Sequence, residues 1–359
     1  MAEFYNTFKG KKIFLTGHTG FKGSWMSVWL SLMGASVKGY ALNPEKISLY
    51  NQIKDKLKNH RSVIGDIRDK KKLEKEILSF QPDFIFHLAA QPLVLESYKN
   101  PVETFEVNAI GTANLLDAIR NLRKKCVVVI VTTDKVYQNI EADYPYRESD
   151  KLGGYDPYSA SKAAAEIIIE SYRLSFYNPA NFSKHKKVIA SARAGNVIGG
   201  GDYAENRLMP DIYRSLSKSK KIKIRNPKAV RPWQHVLESL RGYLMLAAAM
   251  KKEPKKYSSS FNFGPVLNDV LTVEEVVRQA IKCWGTGKYS LVKSESAPHE
   301  AGLLKLNIHK AKQELGWQPI WNSKSVIEKT MQWYKNSIQK KSDMFNLCVK
   351  EIYDLVSHK

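Results

Sequence analysis

Tyr158 and Lys162 stand four residues apart in the run Tyr158-Ser159-Ala160-Ser161-Lys162. Side chains at that spacing share one face of a helix. A lysine ammonium beside a phenol favours the phenolate and draws its pKa towards neutral. A phenolate so placed can take the proton of a hydroxyl whose carbon is giving up hydride. A second polar group, Thr132-Thr133-Asp134-Lys135, closes the apolar run that begins at Val127. Neither group is specific alone. A Tyr-x-x-x-Lys spacing occurs by chance, and an acid beside a lysine also serves to cap a helix.

Both groups need a scaffold, and the start of the chain supplies its signature. Lys12 to Thr16 (KIFLT) reads as a strand and runs into Gly17-His18-Thr19-Gly20-Phe21-Lys22-Gly23. Glycines at this G-x-x-G-x-x-G spacing, between a strand and a helix, let the backbone turn tightly and approach a pyrophosphate. The helix N-terminus then faces the phosphates. Lys22 suits a phosphate contact and solvent equally. The second strand ends in Tyr40-Ala41-Leu42-Asn43, without the acid that commonly holds a ribose 2′-hydroxyl. No arginine stands there for a 2′-phosphate either, so NAD is favoured and NADP stays open. Asp66, after the third strand, suits the adenine edge or a helix cap.

The first two-thirds alternate short β-branched runs with helical patterns. Strands are expected at 12–16, 36–41, 62–64, 84–87, 127–132 and 187–192. Helices are expected at 23–33, 71–80, 103–123 and 158–174. Such alternation predicts an α/β fold, a doubly wound parallel sheet of Rossmann type. Thr132 to Lys135 then fall at the carboxyl edge of a central strand, where open α/β sheets bind ligands. After Arg193 the rhythm changes, with a glycine run at 199–201. Shorter elements follow: a helix at 210–217, a strand at 222–224, and helices at 237–249, at 273–283 and from 325 to the C-terminus. We expect residues 1–193 to form a dinucleotide domain. Residues 194–359 form a smaller mixed α/β substrate domain, with some segments returning to the first.

Composition narrows the class. The 359-residue chain is 43% hydrophobic and has no apolar run of ~18 residues. A soluble protein is expected, without a signal peptide or membrane partner. Cys126, Cys283 and Cys348 are too scattered for a metal site, so a reduced cytoplasmic compartment and no metal are expected. The formal net charge is +22. Such charge suits nucleic acid, a lysine-rich surface or an anionic small molecule. The lysines are spread along the chain with no basic helix or aromatic RNA-binding pattern, which disfavours a nucleic-acid partner.

The glycine turn, Tyr158-x-x-x-Lys162 and Thr133-Asp134-Lys135 together resemble the extended short-chain dehydrogenase/reductase family, whose members mostly act on nucleotide sugars. Its epimerases commonly carry serines at the Thr133 cluster, whereas its dehydratases carry an acid beside a base. The pair is Asp-Glu in those acting on dTDP-glucose and Asp-Lys in those acting on CDP-glucose; this chain has Asp-Lys. KLGGYDPYSASK (151–162), SARAGNVIGGGD (191–202), RNPKAVRPWQHV (225–236), Pro298-His299-Glu300-Ala301, Leu304-Lys305-Leu306 and Leu315-Gly316-Trp317 extend the likeness to the CDP-glucose group over nearly the whole chain.

The resemblance implies an NAD-dependent lyase converting CDP-D-glucose to CDP-4-dehydro-6-deoxy-D-glucose and water, for deoxysugar and surface-polysaccharide synthesis. Oxidation at C4 acidifies the C5 proton, and water then leaves across C5 and C6. Lys135 is the candidate base and Asp134 the candidate acid. Free lysine and aspartate titrate near ~10.4 and ~3.9, so both must be moved towards neutrality, as burial does. The cofactor set is expected to be Gly17, His18, Gly20, Phe21, Gly23, Asp66, Ile67, Ala89, Ala90, Gln91, Asn108, Tyr158 and Lys162. The substrate set is expected to be Thr133, Asn196, Arg207 and Arg231, with arginine suited to a diphosphate by its bidentate fork.

Two departures bear on the exact sugar nucleotide. Leu95 and Glu96 follow Val94 where the family usually has arginine, and Gly302 stands where a second histidine is common. Helices 103–123 and 158–174 are expected to pair with a second copy, giving a homodimer or homotetramer. The rival readings are a nucleotide-sugar epimerase or reductase, a dehydratase for another nucleotide sugar, and a non-enzymatic nucleic-acid-binding or cofactor-sensing protein.

Overall fold

Seven strands alternate with helices and pair in parallel. They are β1 (Lys12–Thr16), β2 (Ser36–Ala41), β3 (His60–Ile64), β4 (Phe84–His87), β5 (Cys126–Val131), β6 (Lys187–Ala194) and β7 (Ser260–Phe263). The order across the sheet is β7-β6-β5-β4-β1-β2-β3. The structure is a computed structural model describing residues 2–292, 303–339 and 342–357. The order reverses between β1 and β4, and that reversal opens a crevice at the carboxyl edge. Thr16 pairs with Tyr40 on one side and His87 on the other, so three strand ends meet there.

Alternation along the central strands explains why both faces are covered. Val127, Val129 and Val131 face one apolar core, while Val128 and Ile130 face the other. All five are buried, as expected of a parallel strand enclosed by helices. On the first face lie α1 (Phe21–Leu32) and the later helix Val236–Lys252. On the second lie the helices Lys70–Phe80, Gly111–Ala118 and α2 (Pro157–Ser175). Asp156 caps α2 by accepting from the Ser159 N–H at 2.9 Å, and Pro157 follows in the first turn. This start places Tyr158 at the helix mouth, beside the carboxyl edge of the sheet.

Three differences from the sequence expectation bear on the sheet and its helices. The long helix expected at 103–123 is segmented: Pro101–Phe105 is α-helical, Glu106–Ile110 is a π-turn, and Gly111–Ala118 is α-helical again. The extra residue turns Asn108 inward, where its side chain bonds elements on both flanks. β7, unforeseen, joins the sheet beside β6 although it follows the helix Val236–Lys252. The single C-terminal helix is two, Ser323–Ser337 and Met344–Ser357. Among the described residues no helix is long and apolar enough to cross a membrane.

Candidate active site

The crevice deepens into a cavity of about 670 Å³, within the ~300–1,000 Å³ usual for ligand sites. One end is the glycine turn. Gly17 has φ +73°, and a Cβ there would come within 2.7 Å of the Ala89 nitrogen. A Cβ on Gly23 would lie 2.1 Å from the Gly17 oxygen. β1, α1 and the loop after β4 therefore close on one another only because both positions lack side chains. Gly20 and Phe21 line the cavity at the start of α1, so backbone N–H groups at a helix N-terminus face it. This narrow cradle fits a dinucleotide diphosphate.

Asp66, Ile67, Ala89 and Ala90 line the same end. The Asp66 carboxylate also takes Arg68 Nη2 at 2.7 Å, and the Arg68 hydrogen bond holds it below the usual carboxylate range. Asp69 is the residue that caps Lys70–Phe80, so the cap alternative for Asp66 does not apply there.

Three expected cofactor residues stand outside the cavity lining. The His18 ring is buried behind the turn, with Nε2 2.7 Å from Ser62 Oγ, and burial lowers its pKa to about 3. It packs as a neutral ring against Tyr50 and His60. Asn108 is buried as well. Its Oδ1 accepts from the Gln91 N–H at 2.9 Å, and its Nδ2 donates to the Gln91 carbonyl at 3.0 Å and to Ser161 Oγ at 2.9 Å. Gln91 in turn anchors its own loop through Leu93 and Thr104. Asn108 and Gln91 thus brace the wall rather than forming it. His87 is likewise a satisfied buried ring, between Thr16 and Thr112.

At the other end Thr133, Asp134, Lys135, Tyr158 and Lys162 converge. Thr133 caps the short turn Asp134–Val136, its hydroxyl donates to Asp134 Oδ1 at 2.9 Å, and it hydrogen-bonds with Tyr158. Asp134 is buried, and burial raises its pKa against the pull of Lys135, Thr133, Arg231 and Lys22. A carboxyl so placed holds its proton more readily than a free one. Lys162 donates to the Val131 carbonyl at 3.3 Å, and burial lowers its pKa to about 8.

One expectation is corrected here. Lys162 does not bring the phenol to neutrality in the chain alone. Burial pushes Tyr158 up to about 12, against the Thr133 hydrogen bond and the Arg207 charge. The lysine is turned to Val131, and its own charge is weakened by the same burial.

Asn196, Arg207 and Arg231 line the remaining wall. Asn196 adopts a left-handed backbone, φ 39°, and its Nδ2 is buried without a hydrogen-bond partner. Arg207 pairs with Asp202 at 3.1 Å. Leu95 and Glu96, which replace the expected arginine, line this cavity too. Residues 298–301 and Gly302 lie outside the described residues. Sequence reasoning did not single out Gly195 or Gln234. Gln234 Nε2 donates to the carbonyls of Gly195 and Phe263, fixing the loop behind Asp134. The run RPWQHV contains it, but nothing in its spacing marks that glutamine over its neighbours.

A reversed parallel sheet, a glycine cradle and a Tyr–Lys pair on the adjoining helix define the extended short-chain dehydrogenase/reductase class. Within it, a family model described as GDP-mannose 4,6 dehydratase matches residues 14–330, and the chain belongs to that family. CDP-glucose 4,6-dehydratase of Salmonella typhimurium is 46% identical over 355 residues, 98% of each chain. Two solved structures share the fold. One is dTDP-glucose 4,6-dehydratase from Bacillus anthracis in complex with NAD, with TM-score 0.75 and 24% identity over 92% of this chain and 98% of that one. The other is UDP-glucose 4-epimerase of Thermus thermophilus in complex with NAD, with TM-score 0.78 and 22% identity over 91% and 100%.

Proposed function

We propose that this chain is an NAD-dependent lyase that converts CDP-D-glucose to CDP-4-dehydro-6-deoxy-D-glucose and water. The observation that carries the reading is the convergence of Asp134 and Lys135 with Thr133 and Tyr158 in one cavity. The 46% identical relative is a CDP-glucose 4,6-dehydratase, which supports the nucleotide and the sugar.

Gly17, Gly20, Phe21, Gly23, Asp66, Ile67, Ala89 and Ala90 would hold the dinucleotide, with His18, Gln91 and Asn108 bracing them. A nicotinamide bound there would supply the hydride acceptor for C4 and the hydride donor for C6. Thr133 holds the C4 hydroxyl, and Tyr158 would accept its proton as a phenolate. That form would be favoured by a bound cationic nicotinamide beside Lys162, against the burial that holds the phenol protonated in the chain alone. Lys162 orients the reacting end and adds positive charge. Lys135 removes the C5 proton, now acidic beside the ketone. Asp134, whose proton burial favours, gives it to the departing C6 oxygen, so water leaves and C5=C6 forms. The proton that Lys135 took returns to C5 and completes the product. Asn196, Arg207 and Arg231 hold the nucleotide diphosphate. Most of the chain after residue 193 acts as the substrate domain, while the helix Val236–Lys252 and β7 return to the first domain's sheet.

Incubation with CDP-, dTDP-, GDP- and UDP-glucose, followed by mass spectrometry, tests this reading. Loss of one water from CDP-glucose is expected. An unchanged mass with an inverted centre marks an epimerase, and no turnover combined with salt-sensitive DNA binding removes the enzyme reading.

Self-association is part of the same proposal. Val102 on the helix Pro101–Phe105, Ile110 in the π-turn that follows it, and Ile167 and Leu174 on α2 are more than half exposed. Large apolar side chains on two adjacent helices suit a second copy. We place the enzyme in the cytoplasm, in keeping with three free thiols at Cys126, Cys283 and Cys348. Its product suits deoxysugar assembly for surface polysaccharides. Light scattering in solution checks the dimer or tetramer.

A further inference from the structure

Lys22 sits inside the glycine turn, yet its side chain does not turn back to the cradle. Its Nζ donates to the Tyr243 hydroxyl at 3.4 Å and lies 5.8 Å from that ring's centroid. Tyr243 is a rigid anchor: it is fully buried on the helix Val236–Lys252 and meets Phe263 edge-on. The lysine therefore spans from α1 towards the reacting end of the cavity. There it shares a wall with Asp134, Tyr158 and Lys162. Burial lowers its pKa to about 7, with Arg207 and Lys162 adding to the fall and Asp134 opposing it. Its hydrogen-bond partner is a phenol that burial keeps neutral, so no ion pair at contact distance cancels the ammonium through that bond.

A hydride acceptor serving a hydroxyl held by Thr133 and Tyr158 has to lie against this wall. The oxidised nicotinamide ring carries a positive charge and the reduced ring carries none. A nearby ammonium thus destabilises only the first. Two unit charges ~7 Å apart in an effective dielectric of ~20 repel by ~2 kcal/mol before screening.

We propose that Lys22 sets the redox poise of the bound cofactor, its ammonium disfavouring the oxidised nicotinamide relative to the reduced one. The proposal rests on the reading of the cavity as a nicotinamide-dinucleotide site. Its consequence for the cycle is retention of the hydride on the cofactor while water leaves, before C6 can accept it.

The test is the ratio of dissociation constants, Kd(NAD+)/Kd(NADH), measured by calorimetry and NADH fluorescence on the full chain. At pH ~6, below the folded pKa of about 7, Lys22 is mostly charged and Lys22→Met is expected to lower the ratio several-fold; the difference should fade above pH ~8, whereas Lys22→Arg keeps the high ratio at both. Lys22→Gln serves as a second neutral variant and is expected to behave like Lys22→Met. Equal weakening of both nucleotides, as loss of a phosphate contact would give, overturns the proposal. So does a ratio that does not move. Failure of the wild-type chain to bind either nucleotide instead removes the underlying dinucleotide reading, and the proposal with it.

Discussion

The carboxylate of Asp134 is seated on the bare backbone of Gly195: a Cβ at 195 would come within 1.8 Å of Oδ2. Gly195 needs no left-handed backbone, so alanine there strains only this contact. Gly195→Ala should displace Asp134 while leaving the glycine cradle across the cavity intact. A fall of ~100-fold in kcat is expected, the usual scale for a misplaced general acid, with Kd for NAD+ changed less than about 3-fold. Steady-state kinetics and calorimetry check the two numbers.

Lys135 offers a separable step. Lys135→Ala should preserve cofactor binding and C4 oxidation while elimination stops. Mixing the variant with NAD+ and CDP-glucose should give reduced-nicotinamide absorbance that persists, with no water lost by mass spectrometry. Normal-rate dehydration by this variant means that another base serves.

Glu166 and Arg193 form an ion pair at 2.8 Å with side chains only 2% and 4% exposed. Burial alone would raise the Glu166 pKa. The Arg193 charge, with hydrogen bonds from Arg193, Thr132 and Ser191, outweighs it and holds the carboxyl low. A depressed folded pKa contributes stability above the unfolded value of ~4.3, and that contribution is lost as pH falls through the folded value. Glu166→Gln should therefore cost about 3–5 kcal/mol at pH 7. The difference from wild type should shrink below pH ~4. Denaturant unfolding at both pH values measures it.

Asn108 joins the loop after β4 to α2 through Gln91 and Ser161. Asn108→Ala strips partners from several buried groups at ~1–3 kcal/mol each. We expect a loss of about 2 kcal/mol and a kcat lowered more than KM is raised. An unchanged melting temperature with full activity would show that the brace is dispensable.

Much of this site was legible because its parts are local. The strand ends at Thr16, Ala41 and His87 fall where the apolar runs stop, and Tyr158 and Lys162 need only a helix to meet. What escaped depends on distant partners. β7, with the sequence Ser-Phe-Asn-Phe, is short and half polar, and it is a strand because β6 offers it an edge. The π-turn at 106–110, Glu-Val-Asn-Ala-Ile, lies within a longer helical pattern, and nothing in its periodicity marks where the extra residue enters. The depression of Lys22 comes from burial first and then from the Arg207 and Lys162 charges, all of which only the fold provides, and burial of Tyr158 overrode the simple phenol–lysine argument.

The late arrival of β7 has a consequence for synthesis. β6 is buried along its whole length, and residues 260–263 pair with its outer edge at 191–194. A nascent chain that has emerged as far as the glycine run at 199–201 carries the dinucleotide cradle and both catalytic segments, yet its sheet still ends in an unprotected apolar strand. Such an edge is a template for aggregation. The first 200 residues, although they hold the chemistry, are thus a poor stopping point for translation. A truncation before residue 260 should be sticky and dependent on chaperones, whereas the complete chain supplies its own cover.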